Sequence, residues 1–266
     1  MQSETMKTVR TTTTILRQFS AAEPELGVSE LARRVALDKA TVHRALKTLA
    51  AERFVEQDPV TKHYRLGLAV LDIAAVRLAS FEFLGESAME IRQLSTEVGE
   101  SVGLHAPDGH EMVCLDFAEA AQPVRVSFFV GERFPVHVTS AGLAALSTMP
   151  REERSIRLSQ ARQAYDIAGP DDAELEAELA AVRKQRYAVA DESYEKGVRA
   201  IAAPVRDASG STVCTVSIAA PAQRQSVASL VALAPTLFRT VDRIGLTLGG
   251  RRRAFIDKPK VDKPKV

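Results

Sequence analysis

The chain has 266 residues, of which 45% are hydrophobic and 26% are charged, with a formal net charge of +1. This composition predicts a globular protein of about two domains and excludes a surface coated throughout with positive charge. No apolar run is long enough to span a bilayer, and the chain start lacks a secretory pattern. Two cysteines without metal-ligand spacing favour reduced thiols, so we expect a cytoplasmic protein. Since no apolar run is long enough to span a bilayer, we expect no membrane partner.

The basic residues are concentrated at the two ends of the chain. Residues 1–66 hold 11 Lys/Arg against 8 Asp/Glu, residues 250–266 hold 7 against 2, and the middle is net acidic. Any binding to DNA is therefore expected to be local to these basic ends.

The first helix is expected at about Val9–Ser20. A loop is expected at Ala21–Val28, which contains Pro24 and Gly27.

Two short helices joined by a tight turn are predicted over Ser29–Ala51. Ser29 is expected to cap the first helix and Asp38 the second. In the second helix the apolar residues recur at helical spacing and should face the core, which leaves cations, small residues and short hydroxyls outside. That outer face suits a recognition helix in the DNA major groove, although an ordinary helical hairpin with a solvated face would have the same pattern. The candidate DNA-binding residues here are Ser29, Lys39, Ala40, Thr41, His43, Arg44 and Lys47.

A β-hairpin is predicted directly after the second helix. Phe54–Gln57 and His63–Leu66 are short alternating segments on either side of a turn that contains Pro59. A hairpin in this position is typical of a wing, whose residues touch the DNA backbone or the minor groove. The alternative is a small stabilising hairpin with a solvated tip. The candidate DNA contacts of the wing are Lys62, His63 and Arg65, and the predicted DNA-binding domain covers residues 7–66.

Residues 67–80 are predicted to form a linker helix that is apolar nearly all round, so it should be buried between domains or subunits. Residues 81–248 predict an antiparallel sheet flanked by helices, which makes the fold class α+β. Residues 249–266 contain repeated proline and charged residues and are predicted to be a disordered basic tail. The strands are expected at Ser101–His105, Glu111–Phe117, Val124–Val130, Tyr187–Ala190, Arg199–Asp207 and Thr212–Ala219. The helices are expected at Phe83–Glu97, Ser140–Thr148, Arg151–Gln160, from Pro170 to Arg186, and at Gln225–Leu248.

Several separated motifs stand in a characteristic order along the chain. In the N-terminal part they are Val28–Arg34, Lys39–Arg44 and Tyr64–Gly67. In the C-terminal part they are Pro135–Gly142, Asp191-Glu192, Gly197–Arg199 and Ile201–Val205. Over about residues 7–248 the chain resembles the IclR family of bacterial transcriptional regulators. The resemblance implies a winged helix-turn-helix, a linker helix and a GAF-like domain that binds a small effector, in dimers or dimers of dimers on palindromic double-stranded DNA operators.

The chain departs from the family pattern at a few positions. Arg53 stands where the family usually has glycine between the recognition helix and the wing, so Arg53 must accept the backbone of that turn or alter it. Leu143 and Ala200 stand where the family often has lysine and cysteine. By resemblance the effector pocket is lined by the Ser140–Gly142 turn and by positions on the later strands, where Ala190, Ala200 and Ala219 remove polar groups.

The effector hypothesis combines this pocket with the start of the helix at Ser140. Free backbone N–H groups at a helix start favour a carboxylate, although a capped helix with nothing bound is the simpler interpretation. A pocket wall rich in alanine binds a ligand more tightly through the ligand's apolar area than through the ligand's hydroxyl groups. We therefore hypothesise a small carboxylic acid with an apolar or aromatic body. The candidate effector-binding residues are His137, Ser140, Ala141, Gly142, Ala190, Asp191, Ala200, Ser217 and Ala219.

No catalytic set, metal site or cofactor motif is predicted. His105, His110 and His137 do not stand in an HxxxH or HExxH pattern. Cys114 and Cys214 lie in alternating apolar strands and are interpreted as core residues. The sequence therefore predicts an effector-responsive transcription factor and not an enzyme. The alternative is a small-molecule sensor or enzyme whose N-terminal domain mediates protein contacts.

Overall fold

The protein was analysed as a computed structural model that describes residues 6–20, 22–81, 83–207 and 209–256, with side chains described as far as Leu248. The chain forms two compact units, Met1–Phe81 and Glu82–Val266. The fold class is α+β, as predicted. None of the described helices has the length and apolar content that crossing a bilayer requires.

The N-terminal unit is a small helical cluster closed by a two-stranded sheet. Ile15, Leu31, Leu46 and Tyr64 are all buried in one apolar core. The hairpin strands pair antiparallel with Val55 opposite Leu66, and Leu26 forms a further bridge to Tyr64. Its elements are α1 (Lys7–Leu16), α2 (Val28–Arg34), α3 (Lys39–Ala51), β1 (Val55–Gln57), β2 (Tyr64–Leu66) and α4 (Ala69–Ala79).

The ends of the first helices differ from the prediction in two places. α1 begins and ends earlier than expected, and its threonines donate hydroxyl bonds to carbonyls one turn back, as Thr14 does to Arg10 at 2.8 Å. Ser29 does not cap α2, because that helix already begins at Val28 and Gly27 occupies the cap position. The cap on α3 is confirmed, since the Asp38 carboxylate accepts the Thr41 N–H at 2.8 Å.

Arg53 accepts the backbone of the glycine position that it occupies. Its φ is 62°, in the left-handed region. The turn is held by Phe54 N–H donating to Leu49 O at 2.8 Å and by Gly67 N–H donating to Phe54 O at 2.8 Å. Gly67 lies so close that an added Cβ would be 2.2 Å from the carbonyl oxygen of Arg53. The turn between α3 and the hairpin therefore keeps its geometry without a glycine at position 53.

The C-terminal unit is an antiparallel six-stranded sheet flanked by helices, with strand order β5-β4-β3-β8-β7-β6. The helix Leu84–Val98 packs on β3 and β4, while the helix Ser140–Leu146 packs mainly on β7 and β8. The strands are β3 (Ser101–Asp108), β4 (Glu111–Ala118), β5 (Arg133–Pro135), β6 (Ala188–Asp191), β7 (Val198–Arg206) and β8 (Thr212–Pro221). The helices are α5 (Leu84–Val98), α6 (Ser140–Leu146), α7 (Arg151–Ala164), α8 (Asp172–Gln185), α9 (Val227–Ala232) and α10 (Ala234–Ile256).

The prediction of a strand at Val124–Val130 is wrong. This segment is irregular, and the edge strand that pairs with β4 is β5 instead. Side chains from distant elements satisfy its carbonyls: Ser101 Oγ donates to Val126 O at 2.5 Å, and Arg224 donates to Val124 O at 2.8 Å. These bonds take the place of a β ladder, because a side-chain donor can satisfy a backbone carbonyl as well as a neighbouring strand can.

The C-terminal helix prediction is also corrected. The helix expected at Gln225–Leu248 is divided into α9 and α10. Pro235 lies in the first turn of α10, where a residue without an N–H is tolerated. α10 continues to Ile256 and so enters the range 249–266, for which a disordered basic tail is predicted. The rest of that prediction, for residues 257–266, lies outside the described residues.

Candidate functional site

The outer side of α3 presents the predicted recognition surface. Val42, Leu46 and Leu49 are buried and fix the helix on the core. This leaves the opposite side to solvent, where Arg44 donates to the Thr41 hydroxyl at 3.1 Å. Lys39, Ala40, His43, Arg44 and Lys47 are exposed, and Thr41 is half-buried.

The cations of α2 and α3 differ in their partners. Arg34 on α2 binds both Glu23 and Glu30, at 2.7 and 2.5 Å, and Arg33 also pairs with Glu30. By contrast, Lys39, Arg44 and Lys47 form no ion pair with any described residue. The positive charge of α3 is therefore available to an external anion, whereas that of α2 is neutralised within the fold. Ser29 is exposed on the first turn of α2.

The three hairpin candidates have different environments. Lys62 is exposed at the tip with φ of 61° and has no ion pair within the described ranges. The ring of His63 packs beside Gly27, where an added Cβ would lie 3.3 Å from the ring. Arg65 pairs with Glu56 at 3.2 Å and lies 3.7 Å from Glu25. Lys62 is thus the hairpin cation best placed to meet a phosphate.

The C-terminal unit contains a cavity bounded by strands, by the start of α6 and by two irregular segments. The empty space inside it is about 610 Å³ when its open mouth is included. Ala190, Ala200 and Ala219 are cross-strand neighbours on β6, β7 and β8, and together they form a wall of small side chains. Six of the nine predicted effector residues line it: Ser140, Ala141, Ala190, Ala200, Ser217 and Ala219.

The other three predicted residues are not among those that line the cavity. His137 is buried, and its ring packs beside Gly169. Gly142 lies against Val136, where an added Cβ would be 2.3 Å from the backbone, so its role there is close packing. Asp191 is exposed and its carboxylate accepts a bond from Arg199 at 2.5 Å.

A buried histidine that the sequence-based site omitted lies in the cavity wall. His105 Nε2 is 2.8 Å from Ser217 Oγ, and its Nδ1 has no partner among the described residues. Burial lowers the pKa of His105 to about 4, so the ring is neutral near pH 7. Since no carboxylate holds Nδ1, this Ser–His pair lacks the orienting group of a hydrolase triad.

Aromatic side chains surround His105 on the side of the irregular segments. Phe128 and Phe134 meet its ring in edge-to-face contacts at 5.6 and 5.5 Å between centroids. Phe134 makes a similar contact with Tyr194 at 6.0 Å. These rings offer a flat apolar surface to a ligand. Sequence reasoning missed them because residues 126–134 and 193–195 are mostly irregular, and only the tertiary fold brings them to the cavity.

Besides His105 and Ser217, the lining has polar groups at the start of α6 and on the irregular segments. At the start of α6, Thr139 Oγ1 accepts the Gly142 N–H at 3.2 Å. The neighbouring Ser140 is buried, and its hydroxyl has no hydrogen-bond partner in the described part of the chain. Elsewhere Glu132 and Glu195 line the cavity with Tyr194. Burial and the nearby Glu195 raise the pKa of Glu132.

The remaining chemically reactive residues do not form a site. Both cysteines are buried, as predicted, and burial raises the pKa of Cys114 to about 12. A thiol in that state is a poor nucleophile and a poor metal ligand. No group of three or more His, Cys, Asp or Glu side chains among the described residues is arranged to hold a metal ion.

Comparison with known proteins gives a consistent result for both units. Residues 77–245 match the family model described as bacterial transcriptional regulator IclR C-terminal, and residues 8–59 match the IclR helix-turn-helix domain. The HTH-type transcriptional regulator KdgR of Dickeya chrysanthemi is 32% identical over 79% of this chain and 69% of its own length. The transcriptional repressor IclR of Escherichia coli strain K12 is 26% identical over 90% of this chain and 88% of its own. A candidate transcriptional regulator from Rhodococcus sp. RHA1, solved by crystallography, has a TM-score of 0.75 at 29% identity and covers 92% of this chain and 98% of that one.

Proposed function

Because the chain belongs to the IclR family of bacterial transcriptional regulators, we propose that α3 binds a palindromic operator and that a small acid in the C-terminal cavity modulates this binding. The family consists of DNA-binding regulators and not of enzymes, so the enzyme alternative is excluded. Double-stranded DNA and a small effector are the partners in this proposal. It places the protein in the cytoplasm, where bacterial operators lie.

The observation that carries the DNA-binding proposal is the set of unpaired cations on α3. Lys39, Arg44 and Lys47 are exposed on the side of the helix that faces away from the core. Ala40 and Thr41 beside them are short enough to let the helix approach base edges. Arginine can bind guanine through two hydrogen bonds, and such a pair contributes about 1–3 kcal/mol of discrimination. Arg44 is therefore proposed as the main base-reading residue, and Lys62 as a phosphate contact of the wing.

The test uses the full chain with DNA from its own promoter region and with an unrelated duplex of equal length. Arg44→Ala should lower the ratio of specific to non-specific affinity about tenfold, as measured by fluorescence anisotropy. Arg33→Ala is the matched control, because Arg33 is an exposed arginine of α2 that already pairs with Glu30. If Arg44→Ala and the wild type discriminate equally, α3 is not the recognition helix in the sense proposed.

The effector proposal rests on the cavity. Ser140 supplies an unpartnered hydroxyl at the start of α6, where backbone N–H groups also favour an acid. The alanine wall and the rings of Phe128 and Phe134 favour an apolar or aromatic body. Calorimetry with aromatic acids and with small hydroxy- and oxo-acids tests this class. Tight binding of the small polar acids alone would contradict it.

The self-association proposal rests on α4. Leu71, Ile73 and Val76 are 63%, 59% and 75% exposed in the single chain, and no residue of this helix is buried. An apolar helix that the single chain leaves exposed marks a contact with another molecule. We therefore propose that a second copy covers α4 in a homodimer, which could pair further into a tetramer. A palindromic operator fits such two-fold symmetry.

A further inference from the structure

The cavity has an electrostatic feature that an acid effector alone does not satisfy. Glu132 and Glu195 both line it, whereas no lysine or arginine is among its lining residues. His105 does not compensate, because burial keeps its ring neutral near pH 7. A simple monoanion would therefore enter a cavity whose charged side chains are both carboxylates, and like charges at short range oppose its binding.

Neither carboxylate is neutralised by the fold. One oxygen of Glu132 accepts the Phe129 N–H at 3.1 Å, and neither Glu132 nor Glu195 forms an ion pair with the described residues. The two lie close enough for Glu195 to raise the pKa of Glu132. Burial, together with these two carboxylates, also raises the pKa of Tyr194, so its hydroxyl stays protonated. Glu132, Tyr194 and Glu195 are called the acidic rim below.

A second observation in the same cavity points to a ligand. Ser140 is 3% exposed, it lines the cavity, and its hydroxyl has no partner in the described ranges. The Ser140 hydroxyl oxygen is not fully enclosed by protein atoms, so it opens onto the cavity and can bond to a bound group. The rings of Phe128, Phe134 and Tyr194 belong to the same lining. The cavity thus combines a polar group inside, an aromatic surface, and two carboxylates that no cation of the described residues neutralises.

We propose that the acidic rim binds a hydrogen-bond-donating group of the effector, an amine or a hydroxyl, so that the effector is an aromatic acid with a donor elsewhere on its ring. A protonated amine also supplies the missing positive charge, and charge-assisted bonds to carboxylates are the stronger kind. A second carboxylate on the ligand is disfavoured at the same place. This inference rests on the proposed effector function and specifies its ligand further.

Four para-substituted benzoates of similar size test the rim, with 4-methylbenzylamine as a fifth probe that lacks the acid. The benzoates carry methyl, hydroxyl, aminomethyl and carboxylate groups, and their binding to the full chain is measured by calorimetry. The hydroxyl and aminomethyl compounds should bind about tenfold or more tighter than the methyl compound, and the dicarboxylate should bind weakest. Glu132→Gln and Glu195→Gln keep the side-chain shape and should remove most of the aminomethyl preference. Glu97→Gln, an exposed carboxylate outside the cavity lining, is the matched control.

The outcomes separate the rim from the acid site. Equal affinity for the methyl, hydroxyl and aminomethyl benzoates would overturn the rim proposal while leaving the acid effector in place. Binding of 4-methylbenzylamine alone, lost in Glu132→Gln, would support the rim and overturn the acid. A preference for the aminomethyl compound that persists in both glutamine variants would place the donor elsewhere and overturn the rim. If none of the five probes binds, both proposals fail.

Discussion

Replacing Arg53 with glycine should stabilise the N-terminal unit. Arg53 has a φ of 62°, and a side chain in the left-handed region costs about 1–2 kcal/mol. Arg53 is exposed, and its guanidinium makes no hydrogen bond or ion pair with the described residues, so no contact is lost. Glycine loses more conformational freedom on folding, which offsets about 0.5–1 kcal/mol of the gain. The net stabilisation should be about 0.5–1 kcal/mol.

Hydrogen exchange followed by mass spectrometry measures this change locally, so that the C-terminal unit does not mask it. Amides of α3 and the hairpin should exchange about two- to fivefold more slowly in Arg53→Gly, because about 1.4 kcal/mol corresponds to a factor of ten. Arg53→Ala keeps the Cβ and should leave the exchange rates nearly unchanged. If alanine stabilises as much as glycine, or if glycine accelerates exchange, backbone strain at position 53 is not the cause.

Three further changes have defined outcomes. Asp38→Ala removes the cap on α3 and should lower the stability of the N-terminal unit at pH 7. Hydrogen bonds from Thr41 lower the pKa of Asp38 in the folded protein. The stabilisation by the cap is therefore present above the ordinary aspartate pKa and is lost as the pH falls through the lowered pKa of the folded protein. Urea midpoints of the two proteins, followed by circular dichroism, should therefore converge in strong acid, and a constant difference would contradict the cap. Lys62→Ala should weaken binding to operator and to unrelated DNA alike and reduce the salt slope by about one phosphate contact; a loss confined to operator would make Lys62 a base contact. Val76→Asp should shift sedimentation towards the monomer, whereas Met89→Asp, at an exposed apolar site on α5, should not; an unchanged sedimentation profile for Val76→Asp would exclude α4 from the subunit contact.

The helix pair was predictable from sequence because its signals are local. Asp38 and the burial of Val42, Leu46 and Leu49 follow from cap chemistry and helical spacing within 12 residues. Ser29 failed as a cap because a helix start is uncertain by one or two residues and a serine inside the first turn looks the same in sequence. The segment Val124–Val130 failed for a different reason. Its alternation fits a strand, but its carbonyl partners are Ser101 and Arg224, which only the tertiary fold brings near.

The residues that form the cavity wall were predictable from sequence, but the charged and polar groups that line the cavity were not. Ala190, Ala200 and Ala219 lie on paired strands, so motif positions on those strands were bound to meet. His105 lies on β3 next to β8, and its bond to Ser217 depends on a register that no local pattern fixes. The alanines alone indicate an apolar pocket without charge. Glu132 and Glu195 come from segments with little regular structure, and they change that interpretation.

The strands and the irregular segments contribute differently to the choice of ligand. Strand positions must keep small, paired side chains because the sheet register constrains them, as with Ala200 between Ala190 and Ala219. Glu132 and Glu195 lie outside the strands, and main-chain bonds from Cys114 and Val198 to their carbonyls hold their backbone, so their side chains can change without moving the sheet. We therefore expect Glu132→Gln to alter ligand preference with little loss of stability, whereas Ala200→Glu should impair both, because it would place a charge against the alanine wall. Thermal unfolding and calorimetry on the same samples separate the two effects. Equal destabilisation by both substitutions would show that the rim is part of the structural core.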